Sequence, residues 1–438
     1  MKKSQVLVLC LAVSFSLFSA GRALAQATEK TVLSFNFNNG TDPGGAAFDH
    51  SGNLWVVTGQ GGNGTACGTS GCGVVVEFTP VSGAWVSHVV YNFHGGNDGD
   101  FPSGRLYFDS KGNAYGTTQA GGDSKCNCGT VYQLSPSQGG WKETVIYRFN
   151  DNRNHIDGLT PYSGLIADAA GNLYGTSISG GAYGWGAVYE VSPNPHGYWT
   201  ERVLWSFLSP DLGTDGSLTY AALAIDASGN LYGTTYAGGS KQDCSGTTGC
   251  GTVFEVSPGA DGVWTERVIY NFQGGSDGAR SYGELIFDGA GNLYGTTYFG
   301  GSNECSELGC GTVFELSPAA DGTWTETVLY AFSESDRDGN YPKGGLIFDQ
   351  AGNLDGVTMY GGKSNWGTVF SLTPGSGGFW AETLLYSFAL PSGVAPVTTP
   401  VIDASGNIYG TTLTGGTNRT GLCGQGLPGC GAVFEIKP

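Results

Sequence analysis

A Gly-Asn pair recurs seven times along this chain, at Gly52-Asn53, Gly112-Asn113, Gly171-Asn172, Gly229-Asn230, Gly291-Asn292, Gly352-Asn353 and Gly406-Asn407, in steps of 60, 59, 58, 62, 61 and 54 residues. A period of that size confines the chain to architectures that repeat one supersecondary unit. The clearest copy, residues 284–332, carries four short runs of alternating apolar character between turn signals: A at 284–288, B at 293–297, C at 312–316 and D at 324–332. Four such runs make a four-stranded antiparallel blade, so the repeat predicts an all-β chain folded as a seven-bladed β-propeller. The 77 glycines agree, because they leave few windows in which a helix of ordinary length could form. A length of 438 residues would otherwise suggest several domains; the repeat predicts one, over residues 26–438.

The two ends look complementary. Residues 28–35, Thr-Glu-Lys-Thr-Val-Leu-Ser-Phe, match strand D of the clearest copy, whereas the last unit stops after a strand C near Ile436. Residues 28–36 are therefore expected to complete the last blade, which pairs both edges of the ring and leaves none exposed. Ahead of them, residues 1–25 read as a secretory signal: Lys2 and Lys3, an apolar run from Val6 to Phe18, and the small-x-small triplet Ala23-Leu24-Ala25. That run is too short to span a membrane, and no second apolar segment follows. Removing the signal takes away Lys2, Lys3 and Arg22 and no acid, which moves the formal charge from −18 to −21. So acidic a chain argues against nucleic acid and anionic membranes as partners, and a secreted or periplasmic monomer is expected.

An Asp precedes every Gly-Asn pair, from Asp49 to Asp403, and suits the first position of a tight turn by bonding its own backbone. Seven identical carboxylates in seven identical turns read as structure. Trp85, Trp141, Trp199, Trp264, Trp324 and Trp380 all open strand D, where a large ring can pack between neighbouring sheets. A double glycine follows every strand B, as in Gly300-Gly301. An apolar strand ending in Gly-Gly, with a Trp after the next strand, resembles the Kelch class of β-propeller. The combined pattern of Gly-Asn, Leu-Tyr-Gly-Thr-Thr, Gly-Gly, Gly-Thr-Val-Phe-Glu-Leu-Ser-Pro and Trp-x-Glu more specifically resembles the secreted bacterial GloVer tandem-repeat family over residues 28–438. That resemblance implies a propeller and an exported address, and no particular chemistry.

Ten cysteines beyond the signal fall as pairs in five B–C loops: Cys67 with Cys72, Cys126 with Cys128, Cys244 with Cys250, Cys305 with Cys310, and Cys423 with Cys430. In an exported chain, local disulfides are expected, since the spacings are not those of structural zinc. The two units without cysteines have shorter loops and place Trp185 and Trp366 where the others put the second Cys.

In a four-stranded blade the B–C loops and D–A crossings share one face of the ring. That face carries the variable loops and a series of acids read in the crossings, Asp42, Asp98, Asp157, Asp215, Asp277 and Asp338, which the last unit breaks with Leu390-Pro391-Ser392-Gly393. Variable loops on a rigid scaffold are where binding concentrates, so these acids with Trp185 and Trp366 are the candidate ligand-binding residues. Acids gathered round one opening favour a cationic group, calcium or a hydroxyl-rich sugar over an anion. Asp336-Arg337-Asp338-Gly339-Asn340 spaces oxygens as a calcium loop does but lacks the later Glu, so no cofactor or metal is expected. The five histidines, His50, His88, His94, His155 and His196, never recur at matching positions, and no nucleophile elbow or phosphate loop is present. The reading that follows is a non-enzymatic binding or scaffold propeller recognising a glycan or an extracellular protein. The alternative is a carbohydrate-active enzyme using face carboxylates, because sugar cleavage needs only a suitably spaced pair.

Overall fold

The structure, a computed structural model, describes residues 27–150, 157–211, 214–239, 244, 248–418, 423 and 429–438. The signal segment expected at 1–25 and His155 lie outside the described residues. Seven antiparallel sheets follow one another in chain order, each with strands A, B, C and D running outward from the ring axis. The first blade comprises Thr41–Phe48, Leu54–Gln60, Val74–Val81 and Ala84–Asn92. The fifth comprises Ile286–Phe287, Leu293–Thr297, Thr312–Pro318 and Trp324–Ala331. The seventh takes Val401–Ile402, Ile408–Thr412 and Ala432–Lys437 from one end of the chain and Thr28–Ser34 from the other. Its register sets Thr28 opposite Lys437 and Ser34 opposite Ala432. The fold is thus all-β and seven-bladed, and the N-terminal strand closes it. Among the described residues, no helix is long and apolar enough to cross a membrane.

Each A–B turn is a small hydrogen-bonded cage around its Asp. Asp288 Oδ1 accepts from the backbone N–H groups of Ala290 at 2.8 Å and Asn292 at 2.9 Å, while Oδ2 accepts from Asn292 Nδ2 at 2.9 Å and Tyr294 Oη at 3.2 Å. The same tyrosine reaches into the next seam. Tyr294 meets Trp380 with ring centroids 6.3 Å apart, Tyr232 meets Trp324 at 6.1 Å and Tyr115 meets Trp199 at 6.0 Å, all edge to face. Such a pair contributes ~0.5–1.5 kcal/mol beyond its buried area, so the tryptophans hold blade to blade. The seam between the sixth and seventh blades departs from this rule: Asp355 stands at the tyrosine position, and Ala27 precedes Thr28 as Trp324 precedes Thr325.

Strand A is shorter than the 284–288 run expected. In the fifth blade it is Ile286–Phe287, with an isolated bridge from Ala279 to Phe299 nearer the mouth of the ring. Nearer the mouth each blade carries one residue at positive φ, followed in five blades by a proline; blades one and two, with Pro43 and Pro102, nevertheless run as single bulged strands over Thr41–Phe48 and Asp100–Phe108.

Candidate functional site

The acids of the D–A crossings are tied into the fold. Asp277 accepts from the Tyr270 hydroxyl at 2.5 Å and from the Gln273 N–H at 2.5 Å. Asp98 accepts from Tyr91 and the His94 N–H, and Asp157 from Tyr147 and Asn150. Asp215 accepts from Trp205 and the Leu208 N–H, and Asp338 from Tyr330 and both donors of Ser333. In each case the acid fastens the end of strand D to its own crossing. The glycine that follows has its own reason: at Gly278, φ is +124° and a Cβ would stand 2.7 Å from Thr297 Oγ1. Blade seven keeps the staple with a shorter side chain, since Ser392 Oγ lies 3.1 Å from Tyr386 Oη. Asp42 does not belong to this series; in its crossing Asn39 fills the role, accepting from the Asn36 N–H at 2.6 Å.

Each of five crossing acids also meets a glutamate from the next blade's strand D, the Glu of Trp-x-Glu. Burial, and then the facing Asp157, push Glu201 up to about 9. Burial followed by Asp215 or Asp277 takes Glu266 and Glu326 to about 8. Burial, with Asp98 and Asp338 next, takes Glu143 and Glu382 to about 7. Burial, reinforced by the facing crossing carboxylate, thus raises the proton affinity of all five seam glutamates.

What opens on this face is a funnel on the ring axis, a cavity of about 130 Å³ to which all seven blades contribute. One residue in each blade near this mouth has positive φ, Asp42, Phe101, Thr160, Leu218, Arg280, Tyr341 and Ala395, with φ between 55° and 59°, and Asp42 also lines the cavity. None is a glycine or asparagine, and a left-handed conformation costs such a residue ~1 kcal/mol or more, so the surrounding bonds must impose it. They come from the neighbouring blade. The N–H groups of Thr160, Leu218, Arg280, Tyr341 and Ala395 donate to the carbonyls of Cys128, Trp185, Cys250, Cys310 and Trp366, at 2.7–3.2 Å. These acceptors are the second cysteine of a clamp or the tryptophan that replaces it. All five cysteine pairs are disulfides within single loops, as expected. Trp185 and Trp366 thus act on the mouth through their backbones, and the Trp185 ring is 37% exposed on the same face.

Below this ring the wall changes from blade to blade. Six residues before the turn Asp stand Ser103, Tyr162, Tyr220, Tyr282, Lys343 and Val397 in blades two to seven. Tyr162 and Tyr220 meet at 5.5 Å and Tyr220 and Tyr282 at 5.0 Å, so three rings form a continuous arc. Lys343 ends it, with Nζ 5.1 Å from the Tyr282 centroid. A second tier backs the arc: Tyr236 lies 4.8 Å from Tyr282 and 5.3 Å from the Arg280 guanidinium, whose Nη1 donates to Tyr236 Oη at 3.1 Å. Asp42 is exposed on its surface side yet surrounded by funnel wall, and burial raises its pKa while Lys343 opposes the rise.

Four residues before the turn Asp, five blades carry Gly45, Gly164, Ala222, Gly345 or Thr399, and the other two carry Arg105 and Glu284. Arg105 Nη2 and Glu284 Oε2 meet at 2.9 Å, and because one belongs to the second blade and the other to the fifth, the pair crosses the axis. Two acids, Asp42 and Glu284, and two cations, Arg105 and Lys343, line the cavity, and of the six expected acids only Asp42 is among them. The tyrosine arc, Lys343 and Arg105 were not singled out from the sequence. The available signal was the column six residues ahead of the turn Asp, where the repeats cease to agree.

Fold and site define a seven-bladed β-propeller with an aromatic funnel on its axis. The chain belongs to the Gloeobacter/Verrucomicrobia repeat family, whose model matches residues 16–247 and 243–423. No curated protein matches it. Among solved structures, a fungal alcohol oxidase of the AA5 family in complex with copper is similar at 15% identity and TM-score 0.57, over 94% of this chain and 77% of that one. A putative oxidoreductase (glucose dehydrogenase) from Thermus thermophilus is similar at 14% identity and TM-score 0.43, over 94% of this chain and 100% of that one. A protein of unknown function from Dyadobacter fermentans is similar at 10% identity and TM-score 0.45, over 93% of this chain and 98% of that one. At such identities the likeness of the oxidase is one of fold alone.

Proposed function

We propose that this protein is an exported, non-enzymatic binding propeller whose ligand, a glycan, enters the funnel mouth and stacks on the tyrosine arc. The observation that carries the reading is the run of Tyr162, Tyr220 and Tyr282 along one wall of the cavity, where the repeats present unlike residues. Rigid amphipathic rings offer contact area at little entropic cost, and their hydroxyls supply hydrogen bonds at the rim. The disulfides and the exported family it belongs to support an extracellular address. Binding is favoured over sugar cleavage because, of the two cavity carboxyls Asp42 and Glu284, the second is engaged by Arg105 at the floor. Among the described residues the cavity lining includes no histidine or cysteine, a poor donor set for copper.

The test is electrophoresis of the purified protein through native gels containing single polysaccharides, with each incubation assayed for released sugar. Retardation by at least one polysaccharide, lost in Tyr220→Ala and Tyr282→Ala variants that melt normally, is the expected result. Retardation that persists in both variants would place the ligand elsewhere, and released sugar would make the protein an enzyme.

A further inference from the structure

Lys343 differs from every other charged group of the funnel. It takes the place that Tyr162, Tyr220 and Tyr282 hold in the preceding three blades, and its ammonium rests over the Tyr282 ring at 5.1 Å. Arg105 is neutralised by Glu284 at 2.9 Å, and Arg280 donates to Tyr236. Lys343 has no such contact: among the described residues no hydrogen bond or ion pair reaches Nζ, and Asp42 acts on it only through its field. Burial lowers its pKa, which is the mark of a cation taken from water without a full replacement. A desolvated ammonium lacking an acceptor is costly, and a guest that brings a carboxylate to it gains a charge-assisted hydrogen bond.

We propose that the glycan held in the funnel carries an isolated carboxylate, as a uronic acid unit does, and that Lys343 binds it while the sugar ring lies on Tyr282 and Tyr220. The proposal rests on the glycan reading above and adds the class of sugar. Two observations set the guest's shape. Asp42, on the wall whose charge Lys343 feels, is an acceptor for sugar hydroxyls, so the guest presents a carboxylate to one side and hydroxyls to the other. The chain's formal charge of −18 opposes a densely charged polyuronate, whereas a single carboxylate in a neutral glycan meets a local cation at small long-range cost. An aliphatic zwitterion would also span a cation and an anion, but it would leave the three-ring wall unused.

The test compares methyl β-D-glucuronide with methyl β-D-glucoside by saturation-transfer NMR and calorimetry on the purified protein, with Lys343→Gln and Lys343→Arg variants alongside. The expected result is that the glucuronide binds at least ~10-fold more tightly, that Lys343→Gln brings it down to the glucoside, and that Lys343→Arg keeps most of the preference. Equal binding of the two sugars, unchanged by Lys343→Gln, would overturn the carboxylate inference and leave the glycan reading standing. If neither sugar binds, the inference is overturned as well, and polysaccharide retardation then decides the glycan reading separately. Tighter binding of a free amino acid than of either sugar would replace the uronate by a zwitterion.

Discussion

The N–H of Arg280 donates to the carbonyl of Cys250 at 2.7 Å, so the wall of the mouth in the fifth blade is held by the disulfide clamp of the fourth. The clamp's effect is therefore expected one blade further along the chain. Replacing Cys244 and Cys250 by serine should raise the hydrogen-exchange rate of the Arg280 amide by ~10-fold or more, because the left-handed residue loses part of what imposes its conformation. The Leu218 amide, which donates to Trp185 at 3.2 Å, has no cysteine behind it and should keep its rate. Equal rates at Arg280 with and without the disulfide would show that the clamp stiffens only its own loop.

The axial pair of Arg105 and Glu284 joins blades that are not neighbours, so it couples opposite sides of the ring. A double-mutant cycle with Arg105→Met and Glu284→Gln, read from urea unfolding, should give a coupling energy of about 1 kcal/mol. A larger value is not expected, since the Arg105 side chain is 36% exposed and water screens the pair. Additive single effects would mean that the two side chains merely fill the floor.

Stability should peak in mildly acidic solution. The seam glutamates, led by Glu201 at about 9 and by Glu266 and Glu326 at about 8, hold protons more tightly folded than unfolded. Their contribution is complete below the unfolded value near 4.5 and is lost as pH rises through 7 to 9. The turn acids Asp109, Asp288 and Asp403 are shifted the other way; although burial raises them, the bonds from Asn113, Asn292 and Asn407 outweigh it, so their contribution is lost below pH 4. Melting temperature should fall by ~5 °C or more between pH 5 and pH 8, and a Glu201→Gln variant should show a smaller fall. A melting temperature that rises over this interval would contradict the raised proton affinity of the seam glutamates.

At the seam between blades six and seven, restoring the missing pair should stabilise the ring. Asp355 is 3% exposed, and burial with Asp349 beyond it raises its pKa to about 7, so its present place is an uncomfortable one. The double substitution Asp355→Tyr with Ala27→Trp should add ~1 kcal/mol by thermal unfolding, with less from either alone. No gain from the pair would show that the seam has repacked around its smaller residues.

The propeller was legible because its signals repeat: the Asp cage, the Trp-x-Glu strand and the match of residues 28–35 to a strand D recur wherever the same bond is needed. The crossing acids were legible too, but not the bonds they make, because a carboxylate that fastens a tyrosine and an N–H looks the same in sequence as one that awaits a ligand. The funnel was hidden for the opposite reason. Asp42, Phe101, Thr160, Leu218, Arg280, Tyr341 and Ala395 share a backbone conformation and no side-chain chemistry, so no residue type announces the turn they make. Lys343 lay in a column of tyrosines and was visible only by asking where the copies disagree.

Thr28–Ser34 is the first strand of the described chain to be made, and its only sheet partner is the last, Ala432–Lys437. The contact of greatest sequence separation is therefore also the one that shuts the circle, and its loop-closure cost falls at the end of folding. Until then the opening strand must wait as an unpaired edge, through the emergence of every other blade. Proteases and chaperones meeting this protein early would see an open arc with two sticky margins; once the final strand arrives, both margins vanish in a single event.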